Sequence, residues 1–188
     1  MGKPLSEMTL EELWTLFPII LTAPNPAWAQ WYAAEAHRLS GILPADDIRI
    51  NHIGSTAICG IWAKPIVDIL IELPESVPMK RVKDILVQNG YICMSKETHR
   101  ISLNMGYTSE GFAEQVFHLH LRYMGDHDEL YFRDYLNDNP NVAKQYEALK
   151  LSLRKIYEHD RDSYTHAKTD FIVAQTAKAK QFYGNRYE

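Results

Sequence analysis

Apolar positions recur every three to four residues at both ends of the chain and every two residues through its middle, which predicts helices flanking a sheet. Thr9 and Glu12 form a capping box ahead of Leu13, Leu16 and Phe17 on one helical face. Asn25-Pro26 opens a second helix, where Trp28, Trp31, Tyr32 and Leu39 recur until Gly41 is expected to stop it. Strands are predicted over 49–53, 66–73, 91–94, 100–105 and 116–123, with a helix over 79–88 ended by Asn89-Gly90. The segment 66–73 is the strongest strand, β-branched and bounded by Pro65 and Pro74. Beyond it come a short helix over 127–136, a second begun by Asn139-Pro140, and a last one capped by Asp160 or Asp162. The second carries a stripe of Val142, Tyr146, Leu149, Leu153 and Ile156, and the last carries Tyr164, Phe171, Ala174 and Phe182.

No repeat, low-complexity tract or linker interrupts this order. The fold class is therefore α/β (α+β): one domain over 1–188, a mixed sheet of four or five strands within a core at about 26–125, and a helical tail at about 127–183 packed back on it. A hydrophobic content of 46% with 23% charged residues excludes general disorder. Twenty basic against 24 acidic residues give a net charge of −4, which argues against a nucleic-acid backbone as the general partner. The N-terminus lacks the layout of a secretory signal, and the apolar stretch 14–23 is broken by Pro18 and too short for a membrane span. Gly2 and Ser6 match the loose myristoylation pattern, which is short and common. The expectation is a cytoplasmic chain with no membrane contact. Cys59 and Cys93, each among apolar neighbours, are expected to be buried, too few for a disulfide framework or a cysteine-based zinc site.

Two segments carry chemistry. In the first, His52-Ile53-Gly54-Ser55-Thr56 precedes Lys64-Pro65-Ile66-Val67-Asp68-Ile69-Leu70-Ile71-Glu72. A Gly-Ser pair at a strand end lets backbone approach a ligand closely and offers N–H and hydroxyl donors to phosphate oxygens. Strand alternation puts Asp68, Leu70 and Glu72 on one face, so Asp68 is either a metal carboxylate or a hydrogen-bonded lock on the Gly54-Ser55 turn. In the second, His118 and His120 share one side of a strand, where they either bind a transition metal or rest hydrogen-bonded. A site of Asp68, His118 and His120 would favour zinc, manganese or iron over magnesium. Lys64, Arg133, Lys150 and Lys168 supply cations that could converge on an anion facing Gly54-Ser55. Lys168, with Tyr164 and Phe171 on its helical face, should lie against the core. Arg133 beside Asp134 also reads as simple surface pairing. No Gly-x-Ser-x-Gly elbow or HExxH pair is present.

His52-Ile-Gly-Ser-Thr-Ala followed by Ala63-Lys-Pro-Ile-Val-Asp68-Ile resembles the signature of the GrpB family, itself similar to nucleotidyltransferases. His118-Leu-His120-Leu, Phe132-Arg-Asp-Tyr-Leu136, Tyr146 with Leu149-Lys150, and Tyr164 with Lys168 and Phe171 extend the resemblance from Trp28 to about Ala179. It implies a nucleotidyltransferase-like core in which Gly54, Ser55 and Lys64 hold phosphate. Asp68 would bind a divalent metal (magnesium, manganese or zinc) and a nucleoside triphosphate would be the substrate. His118 or His120 would then be a further ligand or the general base, making Asp68, His118 and His120 the catalytic set. In that superfamily a second carboxylate stands two residues after the first; here that position is Leu70, and Glu72 lies further along. The departure keeps a second reading open, a non-catalytic module binding a nucleotide or a coenzyme A-related molecule. A third reading is a metal-dependent hydrolase built on the histidine pair. Some family members are fused to a dephospho-CoA kinase domain, but this chain has no GxxxxGK[ST] loop.

Overall fold

The computed structural model describes residues 3–44 and 47–187; Gly2, on which the acylation pattern turns, lies outside them. Five strands form one mixed sheet: β1 (Arg49–Ile53), β2 (Val67–Leu73), β3 (Ile92–Lys96), β4 (Arg100–Thr108) and β5 (Gly111–Tyr123), in the order β1-β2-β5-β4-β3. Only β2 and β5 run parallel; the other neighbours are antiparallel. A parallel pair needs a long crossover, supplied by the segment that holds α3 (Met79–Gln88), β3 and β4.

The two faces of the sheet have different covers. Val67, Ile69 and Ile71 of β2, Leu119 and Leu121 of β5 and Leu103 of β4 point to one face, where they pack with Trp28 and Leu39 of α2 (Ala27–Ile42) and Val82 and Leu86 of α3. Period-two alternation therefore sends Asp68, Leu70 and Glu72, and His118, His120 and Arg122, to the opposite face. That face receives the helical tail: α4 (Asp128–Asp138), α5 (Pro140–Tyr157), α6 (Arg161–His166) and α7 (Thr169–Tyr183). Ile53 and Leu70 meet Leu130 of α4 there, while the loop after β1 sends Ile58 and Ile61 between α4 and α5 against Phe132, Leu136, Ala143 and Tyr146.

The expected helix starts hold, with differences at the ends. Thr9 and Glu12 form the reciprocal capping box of α1 (Leu10–Leu16). Gly41 does not stop α2, which runs through Ile42 with Pro26 at its N-cap, and Asn25 Oδ1 accepts from the Ala27 N–H. β4 and β5 form a longer hairpin than the pattern suggests, because Ala113, Glu114 and Gln115 are exposed there and read as a polar connection. A register shift between Met105 and Tyr107, at Gly106, further breaks the alternation. The single last helix is two, broken at Ala167-Lys168, and Asp160 is the cap, accepting from the Ser163 N–H. Ile156 and Phe182 are exposed rather than packed.

Both cysteines are exposed, against expectation. Cys93 sits on the edge strand β3, all five residues of which are exposed, and Cys59 precedes Gly60 in the loop after β1. Apolar neighbours in sequence do not bury a residue on an uncovered strand. No helix among the described residues is long and apolar enough to cross a membrane.

Leu119 is fully buried in the central strand, so Leu119→Ala should cost about 3 kcal/mol in urea unfolding through lost contacts and the cavity left behind. Ile92→Ala on β3 should stay within about 0.5 kcal/mol. Equal costs would mean that the core is not where the sheet places it.

Candidate functional site

β1 ends where it must turn sharply, and Gly54, with φ of 71°, makes that turn. The residue stands directly against the side chain of Asp68, and a Cβ there would collide with the carboxylate. Ser55 then opens a one-turn helix, Ser55–Ala57, that carries the chain away from the sheet. The Gly-Ser turn and the first carboxylate of the motif are thus packed together.

The parallel register sets Asp68 opposite His118 and Leu70 opposite His120. Both imidazoles reach one oxygen of Asp68: His120 Nε2 lies 3.2 Å and His118 Nδ1 3.4 Å from Oδ1. The second nitrogen of His118 faces two donors. Arg161 of α6 lies 3.3 Å away through Nη2, and the Tyr107 hydroxyl lies at 2.8 Å while accepting from Arg161 Nη1 at 2.7 Å. A guanidinium can only donate, so His118 Nε2 is the acceptor and Nδ1 carries the proton that faces Asp68. Burial pushes the His118 pKa down to about 4, which agrees with a neutral ring. Burial alone would raise the carboxyl of Asp68, but hydrogen bonds from the two imidazoles outweigh it and hold the group well below the usual carboxylate range. The site therefore contains an ionised carboxylate held by two imidazoles, of which His118 is neutral.

Cations gather beside it. Burial lowers Lys64 to a pKa of about 7, assisted by Arg161 and Lys168 and opposed by Asp68. Lys150, almost wholly buried, donates to the Trp62 carbonyl and lies over the Tyr146 ring at 4.8 Å; burial and Lys168 lower it to about 7. Lys168 lies over the Tyr164 ring at 4.4 Å, against the core as expected, and burial lowers it to about 8. Lys64 faces the same ring at 5.8 Å. Among the described residues, none of Lys64, Lys150, Lys168 and Arg161 is paired with a carboxylate within ion-pair distance.

Arg133 does not join this group. Its guanidinium donates to the His52 carbonyl at 2.8 Å and to Asp134 at 2.7 Å, holding the end of β1 on α4. Glu72 is also elsewhere: it is buried, accepts from Asn51 Nδ2 at 2.9 Å and pairs with His127 at 3.1 Å. Leu70, at the position of the second carboxylate, is buried in an apolar cluster. β2 therefore supplies no second carboxylate beside Asp68. Among the described residues no three His, Cys, Asp or Glu side chains are set to hold a metal ion, since both imidazoles converge on a single oxygen of Asp68. Arg161 and Tyr107 were not legible as site residues: Arg161 belongs to no apolar stripe, and Tyr107 follows the register shift at Gly106.

A cleft of about 520 Å³ opens over Gly54, Ser55, Asp68 and His120, walled by Phe132, Tyr146, Ile172 and Val173. The GrpB protein family profile matches residues 18–178, nearly all of the sheet and its helical cover. The chain belongs to the GrpB family. Among relatives, it is 33% identical over 159 residues to the glutamate-rich protein GrpB of Alkalihalophilus pseudofirmus, covering 82% of this chain and 91% of that one. With the UPF0157 protein YqkA of Bacillus subtilis it shares 32% over 161 residues, 84% of this chain but 46% of YqkA, so it spans less than half the length of that relative. The crystal structure of the conserved protein GrpB from Enterococcus faecalis superposes with a TM-score of 0.75 at 29% identity, covering 87% of this chain and 99% of that one. The mixed sheet with a helical cover is thus the fold of a solved GrpB relative.

Gly54→Ala forces a Cβ into a left-handed turn and into Asp68 at once. It should lower the melting temperature by several degrees, whereas Gly60→Ala, also at positive φ but with open space around it, should cost less. Similar losses at the two glycines would show that contact with Asp68 contributes nothing.

Proposed function

We propose that this GrpB chain binds a phosphate-bearing small molecule, a nucleoside polyphosphate, in the cleft over Gly54, Ser55 and Asp68. The supporting observation is the excess of cations without an ion pair: Lys64, Lys168 and Arg161 gather near Asp68, and Lys150 stands near Lys64, Lys168 and Glu147. Confining these cations together is costly in the free protein, and three lysines respond with lowered pKa values. A polyphosphate relieves that cost directly. The Gly54-Ser55 turn offers backbone and hydroxyl donors, and the apolar wall of Phe132, Tyr146, Ile172 and Val173 suits a flat organic group. The resemblance of the GrpB motifs to nucleotidyltransferases points the same way.

A divalent metal fits this reading as one ion and not as a pair. Asp68 and His120 open on the cleft and would hold it, with a nitrogen and an oxygen ligand that suit manganese or zinc at least as well as magnesium. Bound there, the ion would neutralise phosphate charge and polarise a phosphoryl oxygen. His118, with both nitrogens engaged, positions Asp68. Nucleotidyl transfer is the reading for an ion that binds only together with the nucleotide. Leu70 and the sequestered Glu72 favour the second reading, a module that binds the nucleotide without reaction.

Thermal unfolding separates them. At a hundredfold excess over Kd a bound nucleotide contributes about 2.7 kcal/mol, a rise in melting temperature on the order of 5–10 °C for a chain of this size. A rise that needs both ATP and manganese, magnesium or zinc, and that Asp68→Asn abolishes, supports transfer. A rise with ATP alone that survives Asp68→Asn supports the binding module. No rise with ATP, GTP, coenzyme A or inorganic tripolyphosphate, with or without metal, overturns both.

Protonation supplies an independent check. Lys64, Lys150 and Lys168 must be charged to hold phosphate, and their pKa values of about 7, 7 and 8 lie below the ordinary lysine value. Tripolyphosphate affinity should therefore be highest below pH 7 and fall as pH rises to about 9, with protons taken up on binding near neutrality. Calorimetry in buffers of different ionisation enthalpy reads that uptake; no uptake at pH 8 would remove the lysines from the site. In the unliganded protein the sign reverses. The unfolded chain holds these protons up to about pH 10 while the folded chain has released them, so stability should rise between pH 7 and 10.

A further inference from the structure

The Gly54-Ser55 turn lies where the chain leaves β1, and the contacts that fix it stand outside the cleft. Alternation along β1 puts Ile53 on the cleft face, opposite Asp68 of β2, and His52 on the other face, opposite Ile69 of the core beneath α2. There the His52 ring stacks on Tyr32 of α2, with ring centres 4.7 Å apart and planes 12° from parallel. The Tyr32 hydroxyl donates to the Ile50 carbonyl at 3.0 Å, which fixes the ring that His52 rests on. Neither His52 nor Thr56 is among the residues that line the cleft.

The one-turn helix after Gly54 does little to hold itself. Its two backbone hydrogen bonds, Ala57 to Gly54 and Ile58 to Ser55, are long, at 3.2 and 3.3 Å. Side chains supply the missing order. Thr56 Oγ1 lies 3.0 Å from His52 Nε2 and donates to the Ile66 carbonyl at 3.2 Å. A carbonyl can only accept, so the single hydroxyl proton is committed to Ile66 and His52 Nε2–H is the donor to Thr56. Burial lowers the His52 pKa to about 4, against the pull of Asp68, which agrees with a neutral ring holding one proton. The relay thus runs from the end of β1, past the turn, to the residue before β2, and Asp68 stands two residues further on. Two hydrogen bonds in series set the Gly54-Ser55 turn against the strand that carries the carboxylate.

We propose that His52 and Thr56 are positioning residues for phosphate binding: from the face away from the cleft, their relay to Ile66 holds Ser55 where its hydroxyl and backbone N–H meet phosphate oxygens. This rests on the phosphate reading of the cleft and adds what orders its Gly54-Ser55 wall before the ligand arrives. A donor already in place loses no affinity to ordering when the anion binds.

Titration calorimetry with tripolyphosphate, together with backbone amide relaxation at 54–57 read by NMR, tests this on the full chain. Thr56→Val keeps the shape and removes the hydroxyl, while His52→Phe keeps a ring on Tyr32 and removes the donor. Each is expected to weaken tripolyphosphate about tenfold, the scale of one lost hydrogen bond, and to loosen 54–57 on the fast timescale while α3 stays rigid. The double variant should be no weaker than either single one, because both cut the same relay. Thr56→Ser and His52→Gln return a hydroxyl and an N–H to these positions and should bind within about twofold of wild type. All titrations are run well below the melting temperature of each variant. Unchanged affinity in Thr56→Val and His52→Phe, even with a looser turn, overturns the assignment and leaves the phosphate reading standing. So does equal loss in the serine and glutamine variants, since the hydrogen bonds would then not be what matters. Failure of tripolyphosphate to bind wild type overturns the phosphate reading, and the positioning role with it.

Discussion

The site depends on one constraint: Asp68 must stay ionised on a face of the sheet that helices cover. A lone carboxylate in such a place is costly unless its surroundings supply donors. Two histidines meet that need, and they can do so only because β2 and β5 run parallel in a register that puts His118 directly opposite Asp68. Gly54 closes the remaining side, where any larger residue would push the carboxylate away. The crossover through α3, β3 and β4 positions these strands, so much of the topology bears on the setting of one side chain.

Around that carboxylate the protein has accumulated opposite charge without neutralising it. Tyr107 and Arg161 fix the tautomer of His118, and Arg161 contributes a cation as it does so. Lys64, Lys150 and Lys168 rest on aromatic rings and a carbonyl instead of on carboxylates. Aromatic faces satisfy a cation only in part. The arrangement is tolerable because the lysines can shed protons.

Much of this was legible in the sequence, for identifiable reasons. Strand alternation alone placed Asp68 and the His118–His120 pair each on one side of a strand, and the Gly54-Ser55 turn followed from its position at a strand end. The place of Lys168 followed from the helical face it shares with Tyr164. What escaped depends on contacts between distant segments. Arg133 looked like the other cations of the tail, but a backbone carbonyl of β1 takes its guanidinium. Glu72 shares a strand face with Asp68, yet His127 and Asn51 enclose it. Tyr107 and Arg161 sit where the local pattern is broken, by a register shift in one case and by a short helix in the other. Cys93 shows the converse error, since neighbours in sequence do not reveal which edge of a sheet is left bare.

The start of α6 and the break before α7 bring Arg161 and Lys168 to the site from the last thirty residues of the given sequence. During synthesis the strands, with Asp68 and both histidines, leave the ribosome well before these two cations do. A nascent chain can therefore pair its sheet while the charge that would attract an anion is still missing. An arrested or clipped chain that lacked these residues would keep the carboxylate without the two cations that stand beside it.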